Sequence, residues 1–287
     1  MPKKWTFGLL MVIGLLAGCA PIRAPETPVP VTAIPAPGAD AAPDELETRA
    51  TSVSPDGKWR AESVVAFPAD HDEYYQRLTV TRSDGQVAWT PVETWSHMGL
   101  GYTIAVPFAW SAQDEALYFT NLPVPDGCAL FVNGFGLLRL DLATGEIDEI
   151  LPGRGLALAL SPQEDRVAEI VDGPPTLLLH SLDTGELHTL ALPQIDATTQ
   201  AGSLVWSPDG AQIALALAHD PCMGGWARAT SVMVVDVATL ETTALISEDT
   251  RLLKPVAWTE VDGITLEGEG ATRFRLDPQT GEITPQQ

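Results

Sequence analysis

The sequence is short of positive charge. Its 287 residues carry 16 Lys and Arg against 38 Asp and Glu, a formal net charge of −22. Loss of Lys3 and Lys4 with an N-terminal leader would leave 14 basic residues facing the same 38 acidic ones. Phosphate backbones repel such a surface, so no nucleic-acid partner is expected. Apolar runs are short as well: the longest candidate, Trp5 to Leu16, falls below the length of a membrane-spanning helix. No GxSxG elbow, HExxH helix, Gly-rich phosphate loop or CxxC pair occurs, and the sequence calls for no cofactor. No stretch after residue 46 sustains the 3.6-residue apolar period of a helix, which leaves an all-β reading.

What is present starts at the N-terminus. Two lysines, the apolar run and then small residues up to Cys19 have the order of a secretory signal. Leu16-Ala17-Gly18-Cys19 resembles the lipobox of bacterial lipoproteins. That resemblance implies cleavage after residue 18, lipidation of Cys19 with palmitate-type chains, and an extracytoplasmic domain held to a membrane. The envelope position would be the outer surface of the cytoplasmic membrane, or an outer membrane where one exists. Residues 19–45 form a Pro- and Ala-rich linker, a composition that stays extended and solvated. Residues 46–287 remain for folding.

In that segment one turn recurs after a short apolar run, led by Ser54, Ser111, Ser161, Ser207 and Thr259 at spacings of 57, 50, 46 and 52 residues. Such spacings fit one four-stranded propeller blade per repeat. In its fullest form the turn reads Ser-Pro-Asp-Gly. Proline presets the second position and glycine accepts the left-handed fourth, so two antiparallel strands are joined tightly. A second turn follows in each unit, as in LDLATGEI (140–147) and LDPQTGEI (276–283). Each unit therefore reads strand A, tight turn, B, loop, C, tight turn, D. The expected fold is a β-propeller of about five four-stranded antiparallel blades closing a ring, with six as the alternative if residues 86–109 hide an irregular blade.

WSPDG followed by LxLDxxTGE is similar to the WD40-like repeat of TolB and of many bacterial surface propellers, and the similarity covers nearly the whole of 46–287. TolB itself would need a further N-terminal α/β domain. The expected function is a non-catalytic binding or scaffold module, with an enzyme kept as the alternative.

Strand direction puts the tight turns on one face and the long loops on the other, and variable loops on a rigid scaffold are where recognition residues gather. Trp95, His97, Tyr102, Phe135 and Trp226 fall in those long segments and are the candidate binding face for a protein or an envelope polymer. Asp70, His71, Asp72 and Glu73 are a weak candidate metal set. An enzyme acting on a glycan or a peptide is the rival reading, and it would need loop carboxylates such as Asp70, Asp126 and Asp220 to meet at the channel mouth. The innermost stretches 48–54, 102–111, 155–161, 202–207 and 254–259 hold no Asp or Glu, and SPDGKW (54–59) misplaces the glycine of a sialidase-type Asp box. Cys128 and Cys222 occupy equivalent B-to-C loops of units two and four, and in an oxidising compartment a disulfide between them is expected. Trp110, Trp206 and Trp258 precede the turn in three repeats and are expected between blades.

Overall fold

The computed structural model describes residues 43, 45–69, 72–99, 101–124, 129–171, 173–221 and 227–286. Twenty strands form five antiparallel sheets of four. Blade one holds β1 (Glu47–Val53), β2 (Trp59–Ala66), β3 (Glu73–Arg82) and β4 (Val87–His97). Blade two holds β5 (Thr103–Trp110), β6 (Ala116–Pro123), β7 (Phe135–Asp141) and β8 (Ile147–Leu151). Blade three holds β9 (Ala157–Leu160), β10 (Arg166–Val171), β11 (Thr176–Ser181) and β12 (Leu187–Ala191). Blade four holds β13 (Gln200–Trp206), β14 (Gln212–His219), β15 (Ala229–Asp236) and β16 (Thr242–Asp249). Blade five holds β17 (Lys254–Thr259), β18 (Gly263–Glu267), β19 (Arg273–Leu276) and β20 (Ile283–Pro285). Among the described residues the one helical segment is a 3-10 turn, Glu269–Ala271. No helix there is long and apolar enough to cross a membrane. Residues 87–110 supply the last strand of blade one and the first of blade two, so they hide no sixth blade.

The recurrent turn works through its leading hydroxyl. Ser54 Oγ accepts from Trp59 N at 3.0 Å and donates to Asp56 at 2.7 Å, and Ser207 repeats this with Gln212 N and Asp209 at 2.9 and 2.6 Å. Ser161 makes the same pair of contacts with Arg166 N and Asp165. The fourth residue is left-handed in each of these turns, including Asp114 and Glu164 (φ +55° and +60°), where the glycine is missing. Blade five departs by one residue: Gly263, the fifth residue of the turn, takes the left-handed position, four places after the leading Thr259. In the second turn the Asp141, Asp236 and Asp277 carboxylates each accept two successive backbone N–H groups, which hold all three below the usual carboxylate range.

Alternation along the strands aims apolar side chains at the neighbouring blade. Ala61, Leu78 and Val80 meet Leu117, Phe119 and Leu140 between blades one and two. Tyr118 and Leu137 meet Leu158 and Val167 between two and three. Leu177 and Leu179 meet Trp206, Ile213 and Leu215 between three and four. Val232 and Val234 meet Ile264, Leu266 and Leu276 between four and five. The tryptophans lie at these junctions as expected: Trp110 Nε1 donates to Ser52 of blade one at 2.8 Å, Trp206 Nε1 donates to Ala159 O of blade three at 3.0 Å, and Trp258 packs against the four-five cluster.

The fifth junction is different. None of the apolar clusters among the described residues spans blades five and one. Alternate positions on the outer side of blade one are Arg60, Glu62 and Arg77, and those on the outer side of blade five are Lys254, Glu267 and Arg275. Arg60 pairs with Glu62 at 3.7 Å and Lys254 with Glu267 at 3.3 Å, each within its own blade. The blade-one face carries buried Val64, Ala66 and Tyr75 beside these charges, yet no apolar cluster among the described residues joins it to blade five.

Candidate functional site

Three of the four tyrosines of the chain, Tyr74, Tyr75 and Tyr102, collect where β3, β4 and the link into β5 reach the long-loop face. Phe67, Tyr74 and Tyr102 form one group, with centroid separations of 6.0 Å from Phe67 to each tyrosine and 5.0 Å between the tyrosines. On the other side of the blade Tyr75 lies 5.5 Å from Trp95. The sheet explains the arrangement: successive residues point to opposite faces, so Tyr74 and Tyr75 feed both groups, and Trp95 is the direct partner of Tyr75 across β3 and β4.

Polar contacts fix the rings. Tyr74 OH donates to Thr103 O at 2.5 Å, and Gln76 Nε2 donates to Tyr74 OH at 3.3 Å while its Oε1 accepts from Ala105 N at 2.9 Å. These bonds lock the first strand of blade two to blade one beneath the rings. Tyr75 OH donates to Glu93 at 2.6 Å, and burial together with that carboxylate pushes its pKa up to about 12. Arg49 lies 5.5 Å above Phe67. Beside this group a groove of about 680 Å³ runs from Pro43, Glu45 and Glu47 to Phe67 and Pro68. His97, 83% exposed, faces Glu73 at 3.4 Å, and Met98 beside it is 42% exposed. Tyr74 and Tyr75 are buried and act as the backing; Phe67, Trp95 and Tyr102 are half-buried, and rings held in this way can stack on flat or apolar partner groups at small entropic cost.

The structure places Trp95 and His97 at the end of β4 and Tyr102 in the link that follows, with Trp95 on one side of the sheet and Tyr102 on the other, and adds Phe67 and the buried pair Tyr74 and Tyr75. Reading loops alone missed the two adjacent tyrosines because they belong to a strand; their alternation across it was the available signal. Phe135 does not join them. It opens β7 in blade two, is 38% exposed, and lies so close to Gly153 that a Cβ there would come within 2.4 Å of its ring. Trp226, Asp70, His71, Asp126, Cys128 and Cys222 lie outside the described residues, as does Cys19. Of the weak metal set, Glu73 is engaged by His97, and the described residues contain no group of three or more His, Cys, Asp or Glu able to hold an ion. Asp220 is tied to Arg228 at 2.8 Å.

The channel mouth is also occupied. Residues 129–134 of the blade-two loop run across the innermost strands of blades three and four: Leu130 N donates to Gln200 Oε1 at 2.9 Å, and Asn133 exchanges two 2.8 Å bonds with the backbone of Leu158. Phe131 seats over Gly202, where a Cβ would meet the Phe131 Cβ at 2.4 Å. Among the described residues the segment at the mouth is mostly apolar, from Ala129 to Val132.

No known family's sequence profile matches the chain, and no curated protein matches it. Among solved structures it is similar to the acylaminoacyl peptidase of Pyrococcus horikoshii, with a TM-score of 0.55 at 10% identity over 85% of this chain and 39% of that one. An acylaminoacyl peptidase in complex with Z-Gly-Gly-Phe-chloromethyl ketone gives a TM-score of 0.53 at 9% identity, over 84% and 39%. A putative 6-phosphogluconolactonase from Bacteroides uniformis gives 0.48 at 12% identity, over 82% of each chain. The chain spans about two fifths of the peptidases' length, and at these identities the likeness bears on the fold alone.

Proposed function

We propose that this chain is a tethered binding module: a β-propeller held to a membrane through lipidated Cys19 and the linker 19–45, contacting a protein or an envelope polymer through the long-loop rim of blade one. The observation that carries this reading is a rim of half-buried rings, Phe67 and Tyr102 packed on buried Tyr74 on one side of the blade and Trp95 packed on buried Tyr75 on the other, with exposed His97 and Met98 at its edge. Aromatic side chains anchored from behind and free in front are the usual centres of binding energy. The test is capture from a solubilised envelope fraction on immobilised mature protein, comparing the native chain with Trp95→Ala and Tyr102→Ala. Loss of one such anchor is expected to cost about 2 kcal/mol, roughly thirtyfold in affinity. Equal capture by variants that melt like the native protein would reject this face.

The anchor has its own test. Cys19→Ser is expected to release the protein into the soluble fraction and abolish labelling by a fatty-acid probe. Undiminished labelling would contradict the assignment.

A disulfide between Cys128 and Cys222 belongs to the same proposal, and the described neighbours of both cysteines support it. Leu130 is bonded to Gln200, and Asp220 N donates to Asp196 Oδ2 at 3.0 Å, so both flanks are tied to the link entering blade four. The bridge would pin the axial loop and add about 2–5 kcal/mol of stability. Unreduced, alkylated mature protein should yield one cross-linked peptide pair on mass spectrometry; two alkylated thiols would show that the bridge does not form.

A further inference from the structure

Blade three contains a buried ionised group that neither the fold's repeat nor the blade-one rim uses. Glu169, on β10, is fully buried. Its Oε1 accepts from Arg154 N at 3.1 Å and Gly155 N at 2.6 Å, and its Oε2 meets His180 Nε2, on β11, at 3.0 Å. Burial alone would favour the neutral acid, yet His180 and the two amides together hold the carboxyl below its usual range. An ionised carboxylate only accepts hydrogen bonds, so Nε2 carries a proton and Nδ1 is the ring nitrogen turned away from Glu169. Nδ1 has no partner among the described residues and reaches solvent.

His180 lines a groove of about 310 Å³ that also takes in Arg154 and Glu186. Its walls are apolar, from Ile150, Leu151, Leu182 and Leu187, the last 45% exposed. Glu186 faces His188 at 3.4 Å, and on the neighbouring strand Arg166 faces Asp165 at 3.7 Å. The charges left to act on a ligand are Arg154 and the Glu169-backed imidazole.

We propose that this groove is a second binding site, distinct from the blade-one rim, for a small carboxylic acid with an apolar body. The acid gives its proton to His180 Nδ1, the resulting carboxylate is held by the imidazolium and by Arg154, and the body lies along the leucine and isoleucine walls. No bond other than the O–H is broken and no other reactant is needed. Glu169 stabilises the imidazolium from behind, as a buried carboxylate does for a histidine that must take up a proton. Arriving as the neutral acid also avoids repulsion by a chain of net charge −22.

Octanoate is the probe, titrated into the full mature protein at pH 6 and pH 8 while the imidazole resonances of its five histidines are followed by NMR. A saturable shift of the His180 signal is expected, with affinity on the order of tenfold weaker at pH 8 and in Arg154→Gln, an exposed substitution that leaves the Glu169 contacts in place. His180→Gln should abolish the response. Should that variant fold poorly, Arg154→Gln and the pH dependence still decide the matter. The proposal is overturned if His180 shows no saturable shift, if octan-1-ol binds as well as octanoate, or if Arg154→Gln binds with native affinity. Because the site lies on blade three, capture by the blade-one rim is expected to be the same with and without octanoate.

Discussion

A chain ending after Leu253 is expected to be insoluble or to aggregate on purification. Blade five covers the outer face of blade four, where Ala214, Val232, Val234, Ile246 and Leu253 are all less than one tenth exposed. Exposing four aliphatic side chains of this size forfeits about 1.5–3 kcal/mol each. The total rivals the whole stability of an ordinary domain, about 5–15 kcal/mol. The bare face would also be flat, β-rich and apolar, the kind of surface on which sheets associate. The apolar face that the truncation bares is that of blade four, since the clusters among the described residues join blade five to blade four and not to blade one. Removing blade one instead exposes the Leu117 and Phe119 face of blade two and is expected to fail in the same way. A soluble, cooperatively melting product of either truncation would mean that the blades are independent units.

Glu169→Ala is expected to lower stability by about 3–5 kcal/mol, because it strands His180 and two buried amides around an empty space. For a domain of this size that is a fall of roughly 10 °C in melting temperature. Glu169→Gln keeps an acceptor for the Arg154 and Gly155 amides, and His180 can accept from the new amide N–H by moving its proton to Nδ1, so the substitution should cost well under half as much. The pH dependence separates charge from shape. The folded pKa of Glu169 lies below the ordinary value, so its ionisation contributes in full above the unfolded pKa of about 4.3 and is lost as pH falls through the folded value. The gap in melting temperature between the native protein and Glu169→Gln should therefore close on acidification from pH 6 toward pH 3. The many turn aspartates, whose pKa values are also held low, remain in both proteins and cancel. A gap that stays constant with pH would show that the carboxylate is not ionised in the fold.

The blades were legible because their signal is local. Five leading hydroxyls, each bonding its own turn, repeat at blade spacing, and the apolar runs between them have room for only one kind of strand. The interblade tryptophans could be placed for the same reason. Contacts between distant segments were not legible. The blade-two loop crosses to Gln200, 70 residues away, and its seat is marked in the sequence only by the small residue Gly202. The Glu169 and His180 pair is 11 residues apart on adjacent strands, and nothing in a list of motifs distinguishes it from any exposed pair. The unlike fifth junction was hidden too, since it is a property of two end blades that are far apart in the chain. Of the candidate binding residues, Trp95 and His97 end β4 and Tyr102 follows in the link to β5, so all three reach the same rim, whereas Phe135 belongs to a different blade.

Amide hydrogen exchange of the lipidated full-length protein, with and without the envelope fraction it captures, puts the binding face to the most direct trial. Protection is expected to concentrate at Phe67, at Glu73 to Gln76 and from Trp95 to Tyr102, with the tight turns at Ser54, Ser111, Ser161, Ser207 and Thr259 exchanging as in the free protein. Protection centred on those turns, or on blades three to five with blade one unchanged, would contradict the assignment of the blade-one rim.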